Sequence, residues 1–112
     1  MARKYSDRLK DYLEIPYVPA EYLSVWAQYS VLFPNELIRE KAVRSLQDSN
    51  IPSMIYYQKP LHIQKAFSDL GYSIGEFPVS ENISSRILSL PMHPYLDDSD
   101  IDLICEKIIR VI

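Results

Sequence analysis

Glycine is nearly missing from this chain. Its 112 residues include two, Gly71 and Gly75, which rules out a Gly-rich loop that cradles phosphate on backbone N–H groups. Cysteine is scarcer still. Cys105 stands alone, so there is no internal disulfide and no metal site shared with other thiolates; a reducing cytosol is the expected compartment. The two histidines, His62 and His93, lie far apart without a nearby carboxylate pattern, which argues against zinc. No apolar run approaches the length of a bilayer span. Basic residues near Met1 have no apolar stretch after them, so no signal peptide is expected. Positive charge is not in excess either. The formal net charge is -3, with twelve scattered Lys and Arg residues. That gives no electrostatic reason to expect nucleic acid or an anionic membrane as partner.

What is present is a balanced globular composition, 47% hydrophobic and 24% charged, of a length that supports one modest core. The expected organisation is a single domain over 1–112, with an opening helix and extended connector in 1–19. Eight prolines punctuate the chain, and nine tyrosines suit surfaces half buried against a partner or ligand.

Hydrophobic spacing predicts the elements. Tyr5, Leu9, Tyr12 and Leu13 predict a helix over 3–13, which Ile15-Pro16 terminates. Ser24 to Phe33 alternates as a strand, with Val25, Ala27, Tyr29, Val31 and Phe33 on one face. Asn35 is the expected N-cap of a helix whose apolar stripe is Ile38, Ala42, Val43 and Leu46, and Asp48-Ser49-Asn50 ends it. Ser53 to Tyr57 is a second strand. A short helical piece through Leu70 breaks at Gly71. Ser80 is expected to cap a helix to about Leu88, with Ile83 and Ile87 on one face. Leu88 to Pro91 is a third extended segment. Asp97 caps a last helix that buries Ile101, Ile104, Cys105 and Ile108, and Asp98 and Asp100 favour its N-terminal end. The order implies an α/β (α+β) fold with a short mixed or antiparallel sheet covered by helices.

The densest polar-aromatic cluster is Tyr56-Tyr57-Gln58-Lys59-Pro60-Leu61-His62, where a strand gives way to a turn. Tyr57, Lys59 and His62 suit a phosphorylated or hydroxyl-rich ligand. The competing account is a surface turn in which His62 packs or caps locally. His93, flanked by Pro91 and Pro94, reads as a turn residue, and Trp26 as core. Asp97 to Asp100 lacks the glycine and distal glutamate of a calcium loop. No serine carries an elbow motif, and Cys105 lies on an apolar helix face, so the residues give no nucleophile.

Five segments resemble the DegT/DnrJ/EryC1/StrS family of sugar aminotransferases, in the family's order. Ser24-Val25-Trp26-Ala27-Gln28-Tyr29 resembles the strand that opens the family's small domain. Arg39, Leu46 and Ile51-Pro52 have the spacing of its helix and "GIPT" turn. Tyr56 to His62 resembles "HYPxPLH", followed by Gln64 and Ala66-Phe67. Gly75 to Glu81 resembles "GxFPxAE", and Leu88 to Pro94 resembles "LSLPMHP". Together they cover residue 3 to the end.

The resemblance implies the C-terminal small domain of a fold-type I enzyme that transfers an amino group, usually from glutamate, to a keto group of a nucleotide-linked sugar. Pyridoxal phosphate is the electron sink, held by a lysine Schiff base. That lysine belongs to the family's large N-terminal domain, and none of the six lysines here matches it. The chain alone is therefore expected to be inactive and to hold neither cofactor nor metal. Met1 falls inside the helix that leads into the family's small domain. By the resemblance, Tyr56, Tyr57 and His62 contact substrate. Tyr56 replaces the family's common histidine and Gln58 its common proline; tyrosine hydrogen-bonds well but is a poor base near neutral pH. Ser24 to Tyr29 is most similar to members acting on UDP-linked 3-keto N-acetylated sugars. Self-association as a homodimer or higher oligomer is expected. The alternative is a free-standing binding or regulatory module that reuses the fold.

Overall fold

The computed structural model describes residues 2–20, 28–55, 64–93 and 95–112. Among the described residues four α-helices pack around a two-stranded antiparallel sheet, an α/β arrangement with its core between sheet and helices.

Helix α1 (Ala2–Leu9) buries Ala2, Tyr5 and Leu9. It stops short of the expected Leu13. The N–H groups of Tyr12 and Leu13 both reach Leu9 O, at 2.9 Å each. This tight turn sends Leu13 into the core and leaves Tyr12 exposed. Glu14 then exchanges backbone hydrogen bonds with Leu32 at 3.2 and 3.0 Å. The connector thus starts on the edge of strand β1 (Tyr29–Leu32).

The expected alternation holds where the strand is described. Tyr29, Val31 and Phe33 are fully buried. Residues 24–27 of the predicted strand lie outside the described residues. β1 pairs with β2 (Ile87–Leu90) in the register Tyr29↔Leu90 to Leu32↔Ile87. Ser30 and Ser89 face each other, their hydroxyls 2.6 Å apart. Each satisfies the other, since a partly buried hydroxyl needs a partner. The predicted second strand reduces to a single bridge among the described residues. Met54 pairs with Ser89, on the side of β2 away from β1. Tyr56 and Tyr57 lie outside the described residues.

Helix α2 (Glu36–Asp48) starts as expected, with Asn35 Oδ1 accepting the Ile38 N–H at 2.9 Å. Its end is a full Schellman motif. Ile51 N–H donates to Leu46 O at 2.8 Å, Asn50 N–H donates to Gln47 O at 2.9 Å, and Asn50 takes φ +57°. Asparagine tolerates this left-handed position better than most side chains.

A 3-10 helix (Lys65–Leu70) ends at Gly71, whose φ is +81°. Helix α3 (Pro78–Arg86) corrects the expected start. Its N-cap is Phe77, with no side-chain cap bond, and Ser80 lies inside the helix. Proline at the first helical position sets φ for the helix and lacks the N–H that would go unbonded there. α3 ends at Arg86, so Ile87 belongs to β2. Ile83 is exposed, and the buried side chain is Ser84. Helix α4 (Asp98–Ile109) has a complete capping box between Asp97 and Asp100, and buries the four expected residues. It packs on α1 and α2. Lys4 and Arg8 of α1 both pair with its Asp102. Among the described residues no helix is long and apolar enough to cross a membrane.

Candidate functional site

The strand β2 and the turn after it form part of an open surface cleft. Beside the Met54↔Ser89 bridge lies an open cleft of about 210 Å³, lined by Gln28, Ser53, Met54, Pro91, Met92 and His93 among others. Its lining is mostly apolar, with Gln28, Ser53, Ser89 and His93 as its polar groups.

The core fixes this rim from behind. Tyr5 and Tyr29 stack with ring centroids 4.9 Å apart. Tyr5 donates its hydroxyl hydrogen bond to Pro91 O at 2.7 Å, and the Tyr29 and Ser6 hydroxyls lie 2.8 Å apart. Burial raises the pKa of both phenols above the ordinary value, so they stay protonated and hold these bonds. Beyond Pro91, the Tyr95 N–H donates to His93 Nδ1 at 3.2 Å and the Leu96 N–H to His93 O at 3.2 Å. The expected turn role of His93 is therefore observed. With Nδ1 accepting, neutral His93 carries its proton on Nε2, as a donor at the cleft rim.

The three residues expected to contact substrate, Tyr56, Tyr57 and His62, lie outside the described residues, as do Lys59 and Trp26. The Met54 bridge fixes where the chain sets out toward them. Among the described residues no group of three His, Cys, Asp or Glu side chains could hold a metal ion. Cys105 is buried and its thiol is pushed up to about 11, mainly by desolvation. It is a neutral core group at pH 7 and not a nucleophile.

Two arginines escaped the sequence reading as structural groups. Arg39 is buried on α2. It donates to Ser84 O of α3 at 2.7 Å and pairs with Glu40 at 2.9 Å. The signal was there: Arg39, Ala42 and Leu46 share one helical stripe, so an arginine sits among the buried positions. Arg86 donates to Phe33 O at 3.1 Å and pairs with Glu14 at 3.4 Å, beside a second open cleft of about 280 Å³ that includes Lys10 and Asp11. Arg39 ties α2 to α3, and Arg86 ties the end of α3 to the residue after β1 and to the connector.

Pyridoxal phosphate needs a Schiff-base lysine and a phosphate cradle. Among the described residues no lysine lines the cleft at His93. Lys4 is committed to Asp98 and Asp102. The described residues do not fit the cofactor.

Comparison with known proteins gives the frame for this geometry. The sequence model of the DegT/DnrJ/EryC1/StrS aminotransferase family matches residues 1–109. A solved DegT DnrJ EryC1 StrS aminotransferase from Brucella abortus is 49% identical and superposes on 97% of this chain with a TM-score of 0.83. The UDP-2-acetamido-2-deoxy-3-oxo-D-glucuronate aminotransferase of Pseudomonas aeruginosa is 35% identical over 106 residues, 94% of the chain. A protein of Geobacillus stearothermophilus named pleiotropic regulatory protein is 37% identical over 84 residues, 75% of the chain and 22% of its own length. The chain spans 28% of the length of the Pseudomonas relative and 28% of the Brucella structure. This chain belongs to the DegT/DnrJ/EryC1/StrS aminotransferase family.

Proposed function

We propose that residues 1–112 act as the C-terminal small domain of a pyridoxal-phosphate-dependent nucleotide-sugar aminotransferase, a lid and scaffold that contributes to substrate binding and carries no catalytic residue of its own. The observation that supports this is the family match over residues 1–109, combined with a span of 28% of the relatives' length. The cofactor supplies the electron sink for amino transfer from glutamate when bound by the rest of such an enzyme. The work of this chain is binding and orientation, in a cytoplasmic enzyme that assembles as a homodimer or higher oligomer.

Tyr56, Tyr57 and His62 are the proposed substrate contacts. A tyrosine hydroxyl donates to sugar or phosphate oxygens while its ring covers an apolar sugar face. The proposed substrate is a UDP-linked 3-keto N-acetylated sugar, the class named for the Pseudomonas relative. The test is a fusion in which this chain replaces the matching part of the Brucella abortus relative, assayed for amino transfer from glutamate to such a sugar. Tyr57→Phe and His62→Ala should each lower kcat/KM about tenfold or more, a loss of one or two transition-state hydrogen bonds. Unchanged kinetics in both variants would remove the site assignment; a folded but inactive fusion would remove the function.

A second reading is a free-standing binding or regulatory module, favoured by the relative named pleiotropic regulatory protein. The DNA upstream of Met1 separates the two: an in-frame large domain, intact or broken by a frameshift, removes the module, whereas a promoter and ribosome site directly before Met1 favours it.

A further inference from the structure

Gln28, Ser53 and His93 are far apart in the sequence, and the fold brings them to one place. They come from the Ser24-to-Tyr29 segment, the turn at Ile51-Pro52 and the Leu88-to-Pro94 segment. All three line the open cleft of about 210 Å³ beside the Met54↔Ser89 bridge. The proposed function uses none of them.

Their hydrogen-bonding capacity is unspent. No other described residue bonds the side chain of Gln28 or Ser53. His93 uses Nδ1 and its carbonyl oxygen within its own turn, which leaves Nε2 as a donor. Ser89 differs, because its hydroxyl is taken by Ser30 at 2.6 Å. A structural polar cluster closes on itself as that serine pair does; the other three groups do not. Single exposed polar side chains are ordinary. A few of them converging on a mostly apolar concavity are the usual make-up of a small-molecule site.

Charge and size narrow the ligand. None of the described lining residues is Lys, Arg, Asp or Glu. An ion of either sign would lose water there with no counter-charge to replace it. The free groups are one donor, on His93, and two side chains that both donate and accept. Pro52, Leu90, Pro91 and the two methionines supply apolar contact. A neutral sugar ring has the matching chemistry, with hydroxyls around its edge and C–H groups on its faces. The cleft is smaller than the usual drug-sized pocket of about 300–1,000 Å³, so it suits one ring and not a chain.

We propose that the cleft of Gln28, Ser53 and His93 binds one neutral pyranose ring, with His93 Nε2 donating to a hydroxyl oxygen. The site lies within the 112-residue chain and does not depend on the proposed function. The experiment is an NMR titration of this chain, with isotope-labelled methionine methyl groups, against methyl β-glucopyranoside. The Met54 and Met92 methyl signals should shift saturably with a Kd of about 1–10 mM, the range of a small ligand with few hydrogen bonds. Glucose 6-phosphate and glucuronate should bind about fivefold more weakly or worse, for want of a cation. Gln28→Leu and His93→Asn should each raise Kd about threefold or more, the loss of one hydrogen bond, with the melting temperature unchanged. Asparagine keeps an acceptor for the Tyr95 N–H and lacks the Nε2 donor, so His93→Asn separates binding from the turn. Absence of a saturable shift overturns the proposal. So does equal binding of the charged sugars, or wild-type affinity in both variants. Uridine saturating the same signals at lower concentration than the glucoside overturns it in favour of a nucleobase.

Discussion

Tyr5 shows how one side chain connects core and surface. Its ring is fully buried against Tyr29, and its hydroxyl carries the Pro91 carbonyl that begins the cleft wall. It also gives the molecule an alkaline limit. Tyr5, Tyr29 and Cys105 all have pKa values raised by burial, Cys105 from 9.0 to about 11. A group whose folded pKa is raised holds its proton where the unfolded chain has released it. Its contribution to stability is complete below the unfolded pKa and is lost as pH rises through the folded one. Urea unfolding should therefore show flat stability from this source up to about pH 9 and a fall between pH 9 and 11. Cys105→Val should soften the start of that fall. A profile with no decline before pH 11 would contradict the burial assigned to these groups. The buried face of α4 was legible because isoleucine spacing fixes it. The inward aim of Tyr5 was legible too, but not its bond to Pro91, which joins residues remote in the sequence.

The helix ends show what local chemistry decides. At α2 the sequence rule and the structure agree, because asparagine accepts the bond from Ile38. At α3 the serine rule lost to proline. Pro78 fixes the first helical φ, and Ser80 has no cap to make. The two ends give a paired prediction in thermal unfolding. Asn35→Ala should cost about 1 kcal/mol, the usual loss of an N-cap. Ser80→Ala should change stability by less than about 0.5 kcal/mol, as surface substitutions away from caps do. The reverse order would mean that Ser80, not the Phe77-Pro78 pair, sets the start of α3. The buried side of α3 was misread for a related reason. Ile83 is apolar yet exposed, and Ser84 is buried because its carbonyl takes the Arg39 guanidinium. An exposed apolar residue at helical spacing imitates a core stripe in a lone sequence.

At the scale of the whole molecule, the fold class was legible and the chemistry was not. The order of helices and short strands emerged from spacing. Among the described residues the sheet is two short strands flanked by two isolated bridges, joined by long-range pairing that no local pattern reveals. The candidate substrate residues came from resemblance; residue types alone favoured a surface turn. Mixing the purified chain with pyridoxal phosphate should yield no stable protein-linked absorbance near that of a Schiff base, since no described lysine lines the cleft. A persistent band would require a cofactor site within this chain.

The Met54↔Ser89 bridge has one more consequence. The chain leaves the scaffold at Met54 and is pinned to it again at Ser84, where Arg39 holds α3. Everything between is a closed excursion whose two ends are fixed by groups outside it. Closing a flexible loop costs only about 0.6 kcal/mol more for each doubling of its length. Positions 69–80 lie between these anchors and are exposed throughout; replacement of most of these surface side chains is therefore nearly free for the scaffold, and the proposed substrate contacts lie between the same two anchors. Selection can rewrite what the domain touches without renegotiating how it folds.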